Sequence, residues 1–439
     1  MMKMLEKVLE NPNVKRAYKQ VVSNGGSKGV DGITTKELGA YMQANWERIK
    51  QEIREGRYFP QAVLGIEIPK ANGGKRLLGI PTVIDRLIQQ SINQTLQTIF
   101  DSEFSEQSYG FRSGKSAHQA VLEAQRNINE GYQDIIDLDL KSFFDIVNQD
   151  YLMSLLNRKI KDSMLLKLIR RFLQSDMMKG GISTQRKKGT PQGSPLSPLL
   201  SNIILNELDK ELTKRGLQFV RYADDCSIFL KSKRSASRVR KRITKFIENK
   251  LHLKVNEEKT SICRPINYFM LGYGFVPTYK KGEKGKYKLR VSPKSFKRMK
   301  QRIKQITKKT TSISLNERLS KLNAFTRGWV NYYKYAQIST KLKELDSWIR
   351  NRLRYCIWKH WKKPNKRWRS FIRLGIKRGQ AYSWSRSRLG GWRIAQSPMM
   401  GTTVTIKRLQ KRGYLSFSVQ YGRAIKTLPK GTQLKFAYV

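Results

Sequence analysis

The sequence predicts an α+β protein in which a sheet-forming part precedes a mostly helical part. Two short hairpins, at residues 65–80 and 219–230, and an alternating strand at residues 134–140 indicate antiparallel sheet between helices. After residue 285 apolar residues recur every three or four positions, the period of amphipathic helices. We therefore expect a larger α+β part followed by a basic helical bundle.

Composition changes along the chain predict three parts. The basic, glycine-containing segment 280–288 is typical of a boundary loop, so the first part is expected to span residues 1–285. The helical bundle is expected at residues 286–363. Residues 364–439 are rich in arginine and tryptophan, and we expect a basic nucleic-acid-binding segment there.

The net charge indicates a polyanionic partner. The chain of 439 residues has 88 lysines and arginines against 33 acidic residues, a formal net charge of +55. A folded protein tolerates such a charge when a partner neutralises much of it. Aromatic residues make up 10% of the chain and are interleaved with the positive charge, which favours nucleic acid over a membrane surface.

Cysteine usage and hydropathy restrict the class further. The three cysteines are widely separated and odd in number, so the sequence indicates neither a disulfide framework nor a zinc site. No signal-peptide core and no stretch of about 18 apolar residues is found. We expect a soluble, cytoplasmic protein without a membrane partner.

The second hairpin has two adjacent carboxylates, Asp224 and Asp225, at its tip between apolar strands. Aspartate is a common turn residue, so an ordinary hairpin turn is the alternative interpretation of this pair alone. Other carboxylates elsewhere in the chain decide between the two interpretations.

Asp137 and Asp139 lie on the polar face of the strand at residues 134–140, whose other face is apolar. If this strand lies beside the hairpin, Asp139, Asp224 and Asp225 supply the carboxylates that clamp two Mg²⁺ ions about 3.5 to 4 Å apart in phosphoryl transfer. Hard oxygen ligands suit Mg²⁺, and with 3 histidines in the chain a transition-metal site is not expected. Asp137 is the alternative to Asp139 in this site.

Residues 222–225 resemble the tyrosine-x-Asp-Asp signature of the reverse transcriptases encoded by bacterial group II introns, and residues 139–145 resemble that family's motif with its first catalytic aspartate. The resemblance covers roughly residues 1–363. It implies a right-hand polymerase, with fingers and an antiparallel palm, followed by an α-helical thumb and maturase domain. The metal-binding residues that it implies are Asp139, Leu140, Asp224 and Asp225, and the three aspartates are the catalytic ones.

The resemblance also implies contacts with an incoming deoxynucleoside triphosphate. Lys70 and Arg76, at the tip of the first hairpin, would bind the triphosphate, with general attraction of a nucleic-acid backbone as their alternative role. Gln192 lies in the Pro-Gln-Gly loop that supports the nucleotide. Phe144 would lie beneath the sugar and exclude a 2′-hydroxyl, unless it is a core residue. Lys259 would donate a proton to pyrophosphate.

The helical bundle resembles the thumb and maturase domain at residues 325–333 and 348–361. In that family the domain holds the intron RNA and assists its splicing. Basic side chains there can bind phosphates and exposed tryptophans can stack on bases, although core tryptophans and solvated helix faces are the alternatives. The expected RNA or DNA contacts are Arg112, Arg327, Trp329, Arg350, Arg354, Lys362 and Lys363.

The function that the resemblance implies is RNA-directed DNA synthesis together with splicing of the intron RNA. The expected partners are a group II intron RNA, an RNA template with its DNA primer, target DNA and deoxynucleoside triphosphates. No His-Asn-His cluster with paired cysteines follows residue 363, which is typical of family branches without the endonuclease domain. A stand-alone reverse transcriptase in defence or repair and a splicing-only RNA-binding protein are the alternatives.

Overall fold

The computed structural model describes residues 3–69, 74–279 and 281–428. They form two compact units, of which the first extends to Arg264 and the second begins at Pro265. The predicted α+β class is confirmed: both units contain antiparallel sheet, and the described remainder of the second unit is helical. The predicted boundary at residue 285 differs from this division, because the strands that follow Pro265 pack within the second unit.

The first unit alternates helices with short strands. Its helices are α1 (Met4–Leu9), α2 (Asn11–Asn24), α3 (Leu38–Arg54), α4 (Val83–Phe100), α5 (Ala117–Asn129), α6 (Phe143–Ile146), α7 (Gln149–Lys159), α8 (Ser163–Gln174), α9 (Ser197–Lys214) and α10 (Lys233–Lys250). Its strands are β1 (Val63–Pro69), β2 (Lys75–Ile80), β3 (Asp134–Leu138), β4 (Met177–Lys179), β5 (Ile182–Thr184), β6 (Gln218–Tyr222), β7 (Asp225–Leu230) and β8 (Ser261–Cys263). Both predicted hairpins, β1–β2 and β6–β7, are confirmed.

The strands of the first unit form two sheets. The central sheet has the order β6-β7-β3-β8 and is antiparallel throughout. The hairpin sheet has the order β2-β1-β4-β5, in which β1 and β4 run parallel and the other pairs antiparallel. One hydrophobic core joins the central sheet to the surrounding helices, so the ends of β3, β6 and β7 are held on a packed base.

The apolar helical pattern between residues 149 and 174 is divided into two helices, α7 and α8. The side chain of Asp162 accepts a hydrogen bond from the backbone N–H of Leu165 at 3.2 Å, which caps the start of α8. Its second oxygen accepts from the N–H of Leu5 at 2.8 Å. A capping aspartate inside an apolar helical pattern therefore marks the break.

A buried carboxylate begins α4. Asp85 accepts hydrogen bonds from the Tyr58 hydroxyl at 2.7 Å, the Thr82 hydroxyl at 2.7 Å and the Gln61 N–H at 3.2 Å. Its own N–H donates to the Thr82 hydroxyl, so the two residues cap the helix reciprocally. Burial raises the pKa of Asp85 to about 6, against the lowering effect of these donors.

We expect Asp85→Ala to lower the free energy of unfolding by about 2 to 4 kcal/mol, because buried donors lose their acceptor. Asp85→Asn keeps one acceptor oxygen and should cost less. Because the folded-state pKa of Asp85 lies above the unfolded value of about 3.9, its stabilisation is complete below that pH and is lost as the pH rises through about 6. The free energy of unfolding of Asp85→Asn, measured with urea, should lie below that of the wild type by an amount that decreases between pH 4 and pH 7. A deficit that widens with pH would contradict this sign.

The second unit contains a small sheet followed by helices. The sheet has the order β11-β10-β9, with β9 (Phe269–Met270), β10 (Tyr273–Pro277) and β11 (Tyr287–Val291). The helices are α11 (Pro293–Ile306), α12 (Leu315–Tyr333), α13 (Ser339–His360), α14 (Pro364–Arg373), α15 (Arg378–Ser385), α16 (Gly391–Gln396), α17 (Pro398–Thr403), α18 (Ile406–Lys411) and α19 (Phe417–Lys426). Leu271 and Gly272 have positive φ and reverse the chain between β9 and β10, which pair as a hairpin.

The described part of the basic segment that begins at residue 364 is helical and packs on α13. Buried Asp346 accepts hydrogen bonds from the N–H groups of Phe417 and Ser418 at 2.8 and 2.9 Å. It also accepts from the Tyr414 hydroxyl at 3.2 Å. A carboxylate at the N-terminus of α19 thus fixes this helix to α13. In the described ranges no helix combines the length and the hydropathy that crossing a bilayer requires.

Candidate active site and nucleic-acid surface

The three predicted catalytic aspartates lie at one end of the central sheet. Tyr222 pairs with Asp225, so Ala223 and Asp224 form a two-residue turn between β6 and β7. Leu138, the last residue of β3, pairs with Cys226. Asp139 therefore leaves β3 at the same end at which Asp225 enters β7.

Asp225 lies among several other carboxylates at this end of the sheet, and its pKa is raised. Although Asp225 is exposed at the surface, desolvation by the surrounding protein raises its pKa to about 6. The charges of Asp224, Asp137 and Asp139 raise it further, against a lowering effect of Lys259. Unbalanced negative charge thus accumulates here in a chain whose net charge is strongly positive. A bound cation would relieve that repulsion.

Asp137, the alternative to Asp139, lies within β3 opposite Ser227. Burial raises its pKa to about 6, the charge of Asp139 adds to this, and a hydrogen bond with Ser227 opposes it. Asp139 lies beyond the strand, where its carboxylate is half-exposed. Asp139 is therefore the better placed of the two to reach a cation at the hairpin tip.

The donor set fits a hard divalent cation in its chemistry. Carboxylate oxygens from Asp139, Asp224 and Asp225 are the ligands that Mg²⁺ prefers. Within residues 3–69, 74–279 and 281–428, no three histidine, cysteine, aspartate or glutamate side chains are already placed around one ion position. What supports a cation here is the grouping of Asp137, Asp139 and Asp224 around Asp225. Leu140, which follows Asp139, is buried and forms an isolated antiparallel β-bridge with Val255.

One lysine reaches the carboxylates from the neighbouring segment. The N–H of Asn256 donates to the carbonyl of Asp139 at 2.8 Å, and the N–H of Lys141 donates to the carbonyl of Lys254 at 2.8 Å. This pairing places the Lys259 ammonium 3.5 Å from the Asp139 carboxylate. The predicted proton donor therefore lies beside the predicted metal ligands.

The Pro-Gln-Gly loop connects two of the predicted nucleotide-binding segments. The carbonyl of Gln192 accepts a hydrogen bond from the N–H of Gly79 in β2 at 2.7 Å, and a Cβ at Gly193 would lie 2.7 Å from the Gly79 carbonyl. At the other end, the N–H of Thr190 donates to the carbonyl of Phe144 at 2.7 Å. The loop thus links the hairpin sheet to the segment that follows Asp139.

The remaining predicted nucleotide contacts differ in exposure. Arg76 is exposed on β2, and Phe144 is half-buried with its ring against Phe143 at a centroid distance of 5.1 Å. Lys70 lies outside the described residues. Phe144 therefore combines a packed position with a face that remains accessible.

Backbone strain is concentrated near the carboxylates. Phe111, Ser142 and Ala223 have positive φ values of 58°, 47° and 58°. Each such conformation costs a non-glycine residue roughly 1 kcal/mol or more, and strained residues cluster at functional sites. Ala223 forms the turn itself, and Ser142 lies three residues beyond Asp139.

Arg112, a predicted nucleic-acid contact, has an internal position instead. Its side chain is 4% exposed and forms an ion pair with Asp101 at 2.9 Å. It also donates to the carbonyls of Asp101, Ser105 and Ser108 at 2.6 to 3.1 Å. This residue fixes the loop before Gly114, and we leave it out of the proposed RNA-binding set.

The predicted contacts of the second unit also divide into two groups. Arg354 donates to the carbonyls of Val404 and Gly401, and Trp329 packs against Tyr333 and Phe417 at centroid distances of 4.7 and 5.9 Å. These two residues help to pack the unit. Accessible charge is found at half-buried Arg350 and at the exposed Arg327, Lys362 and Lys363.

A basic cavity of about 860 Å³ opens in the second unit. It lies between the loop at 309–314, the end of α13 and the helices α14 and α18. Trp361 and Ile313 contribute apolar surface, and no acidic residue lines it. Its cationic lining residues are Lys309, Arg318, Lys359, Lys362, Lys366, Arg373, Arg408 and Arg412. Such a lining suits a phosphate-bearing ligand with a planar base.

Arg221 and Asn202 were not singled out from the sequence, and they lie directly under the turn of Ala223 and Asp224. The available signal was an arginine in the otherwise apolar strand that precedes the two aspartates. A buried cation in such a strand needs an anionic partner, which is Asp209 on α9.

An acidic turn at one end of an antiparallel sheet, with a glycine-containing loop that joins a second hairpin to the segment after Asp139, is the arrangement expected of a template-copying polymerase of the right-hand class. Residues 68–275 match the family described as reverse transcriptase (RNA-dependent DNA polymerase), and residues 296–372 match the maturase-specific domain of group II introns. The chain belongs to the reverse transcriptases encoded by group II introns.

Three relatives illustrate this membership. The chain is 30% identical over 272 residues to protein YkfC of Escherichia coli K12, which covers 53% of this chain and 71% of YkfC. It is 31% identical over 311 residues to the group II intron-encoded protein LtrA of Lactococcus lactis, covering 56% of this chain and 52% of LtrA. Nuclear intron maturase 3 of Arabidopsis thaliana is 25% identical over 49% of this chain and 33% of its own length. The chain thus spans about half the length of LtrA.

Proposed function

We propose that this chain is an RNA-directed DNA polymerase that binds a group II intron RNA, assists its splicing and copies it into DNA. The observation that carries the proposal is the convergence of Asp139, Asp224 and Asp225 at one sheet end. The family membership supports the same activity. The intron RNA is the partner to which the maturase-specific domain points, and primer, template, target DNA and deoxynucleotides are the further partners proposed.

The chemistry proposed is attack of a primer 3′-hydroxyl on a deoxynucleoside triphosphate. Asp139, Asp224 and Asp225 would hold two Mg²⁺ ions. When bound, these ions supply a lowered pKa for the attacking hydroxyl and charge stabilisation for the departing pyrophosphate. The protein contributes position and electrostatics, since phosphoryl transfer requires little covalent chemistry from it.

Three residues have separate roles around those carboxylates. Lys259, with its ammonium 3.5 Å from Asp139, is placed to give a proton to the leaving pyrophosphate. Arg76 provides a planar, permanently charged group for the triphosphate. Phe144 presents a half-buried ring that would exclude a ribose 2′-hydroxyl and so favour deoxynucleotides.

Primer extension tests the polymerase directly. The intact chain should extend a DNA primer on an RNA template with Mg²⁺ and deoxynucleotides, and extend it far less with ribonucleotides. Splicing of a group II intron RNA at low Mg²⁺, with and without the protein, tests the second activity. Tight RNA binding with no extension under any of these conditions would overturn the polymerase and leave a splicing-only protein.

The basic cavity of the second unit is the proposed RNA-binding site, because exposed Lys362 and Lys366 line it together with six other cations. We expect Lys362→Glu combined with Lys366→Glu to weaken binding of intron RNA about tenfold or more. The slope of the logarithm of the RNA affinity against the logarithm of the salt concentration should become shallower, by the equivalent of about two phosphate contacts. Filter binding at several salt concentrations measures both quantities, and extension of a saturating primer–template should keep its maximal rate.

A matched variant separates the site from the overall charge. Lys343→Glu combined with Lys426→Glu makes the same charge change at exposed positions of the same unit outside the cavity. Equal weakening by both double variants would show that only net charge matters and would remove the cavity from the proposal.

A further inference from the structure

A completely buried arginine lies under the catalytic turn. Arg221 is 0% exposed and precedes Tyr222 on β6. Its guanidinium donates to both oxygens of Asp209 at 2.6 to 3.0 Å. It also donates to the Asn202 side-chain oxygen and to the Ala223 carbonyl, both at 2.9 Å. One cation thus connects helix α9 to the backbone of the turn.

Fold stability alone does not account for this arrangement. Taking both charges out of water costs about as much as their attraction returns, so an apolar pair of similar volume is often equally stable. What an apolar pair lacks is a directed donor. What the Arg221–Asp209 pair adds, compared with an apolar pair, is therefore the hydrogen bond from Arg221 to the Ala223 carbonyl.

The Ala223 carbonyl belongs to a strained residue. Ala223 has a φ of 58° at the first central position of the turn, a position that two-residue hairpins usually give to glycine. The left-handed conformation costs an alanine about 1 kcal/mol or more. The bond from Arg221 opposes relaxation of this residue, and with it any displacement of Asp224 and Asp225.

Asn202 holds the turn from a second side. Its amide nitrogen donates to the carbonyl of Gly110 at 2.9 Å, while its oxygen accepts from Arg221. The segment of Gly110 is itself paired with β6, because the N–H of Tyr109 donates to the Arg221 carbonyl at 2.8 Å. Asn202 therefore ties together the two backbones that meet at Ala223.

We propose that Arg221 and Asn202 are positioning residues that hold Asp224 and Asp225 in the geometry that binds divalent cations. The inference rests on the polymerase proposed above for the reaction, and adds to it a buried device that no substrate touches. A displacement of about 1 Å at reacting groups can cost about a hundredfold in rate. Loss of the device should therefore reduce cation binding and turnover while leaving RNA affinity intact.

A matched pair of asparagines on α9 tests the proposal. Asn202 and Asn206 are 1% and 4% exposed, and the amide of Asn206 donates to the distant carbonyl of Glu103 at 3.3 Å. In the full chain, Asn202→Ala should lower the rate of deoxynucleotide addition about tenfold or more and raise the Mg²⁺ concentration for half-maximal activity severalfold. Asn206→Ala should remove a similar buried amide, with a similar change in Tm, and leave both quantities unchanged.

A readout without turnover separates this inference from the proposed function. Mn²⁺ binding followed by electron paramagnetic resonance should weaken severalfold in Asn202→Ala and stay unchanged in Asn206→Ala. Arg221→Lys keeps a charge for Asp209 but lacks the planar fork that reaches Asn202 and Ala223 together, and should behave like Asn202→Ala. Equal cation affinity and equal turnover in both asparagine variants would overturn the inference. An inactive wild type with the predicted Mn²⁺ pattern would overturn the polymerase alone.

Discussion

Asp224→Ala is expected to abolish DNA synthesis and to leave RNA affinity within about twofold of the wild type. The carboxylate is proposed to hold a cation that stabilises the charge developing in the transition state by several kcal/mol. Loss of the carboxylate should therefore lower the rate of extension by about 10³-fold or more. RNA affinity comes from cationic side chains elsewhere, which the substitution does not change. Primer extension under single-turnover conditions and filter binding of the same preparation measure the two quantities.

Fold stability provides an internal check on Asp224→Ala. The charge of Asp224 raises the pKa of Asp225, so removing it relieves repulsion between the two side chains. We therefore expect an unchanged or slightly higher Tm. Replacing a residue of an active site often stabilises a protein at the cost of its activity.

Asp150→Ala is the matched control for this variant. Asp150 is an exposed aspartate on α7 that forms an ion pair with Arg170 on α8. It should extend primers at the wild-type rate. If Asp224→Ala lost RNA binding and extension together, the separation of catalysis from RNA affinity would be wrong.

The same variant discriminates between the functions that the sequence leaves open. An intron maturase should continue to assist splicing when Asp224 is replaced, because splicing uses the RNA surface and the chemistry of the RNA itself. A stand-alone reverse transcriptase in defence or repair should have no intron RNA to splice. A splicing-only protein should show no loss on substitution, since it has no extension to lose.

The parts of the site that are local in sequence were predictable. The tip of the β6–β7 hairpin follows from two apolar runs around a short acidic turn, and the polar face of β3 follows from its alternation. Their meeting at one sheet end required only that β3 and β7 be neighbours. The β1–β2 hairpin was predictable for the same local reason, whereas the parallel pairing of β1 with β4 joins strands that are distant in sequence.

The parts that depend on distant partners were not predictable. Arg112 is a surface arginine by sequence, yet its guanidinium lies among carbonyls near Asp101. The charge of a residue is visible in the sequence, but the acceptors that bury it come from tertiary packing. Arg221 is a second example, because its partner Asp209 comes from helix α9, which packs against the sheet.

Glycine positions show how tightly the backbone is packed around the turn. At Gly110, a Cβ would lie 3.0 Å from the Ala223 Cα and from the Tyr222 carbonyl carbon, and closer still to the Ala223 nitrogen. All three atoms belong to the backbone of the β6–β7 hairpin, so no side-chain rotation can relieve the overlap. The two backbones can meet only if residue 110 has no side chain.

Gly110→Ala should therefore displace the turn and lower primer extension about a hundredfold or more, through loss of carboxylate geometry. RNA affinity should persist, since the basic surface is unchanged. Single-turnover extension, Mn²⁺ binding and Tm on one preparation separate displacement from unfolding. Gly39→Ala is the control within the same unit, because its Cβ would meet only the movable end of Tyr18 at 3.0 Å. Wild-type extension by Gly110→Ala would mean that the turn tolerates displacement, and that the close approach of these backbones has no part in holding the carboxylates.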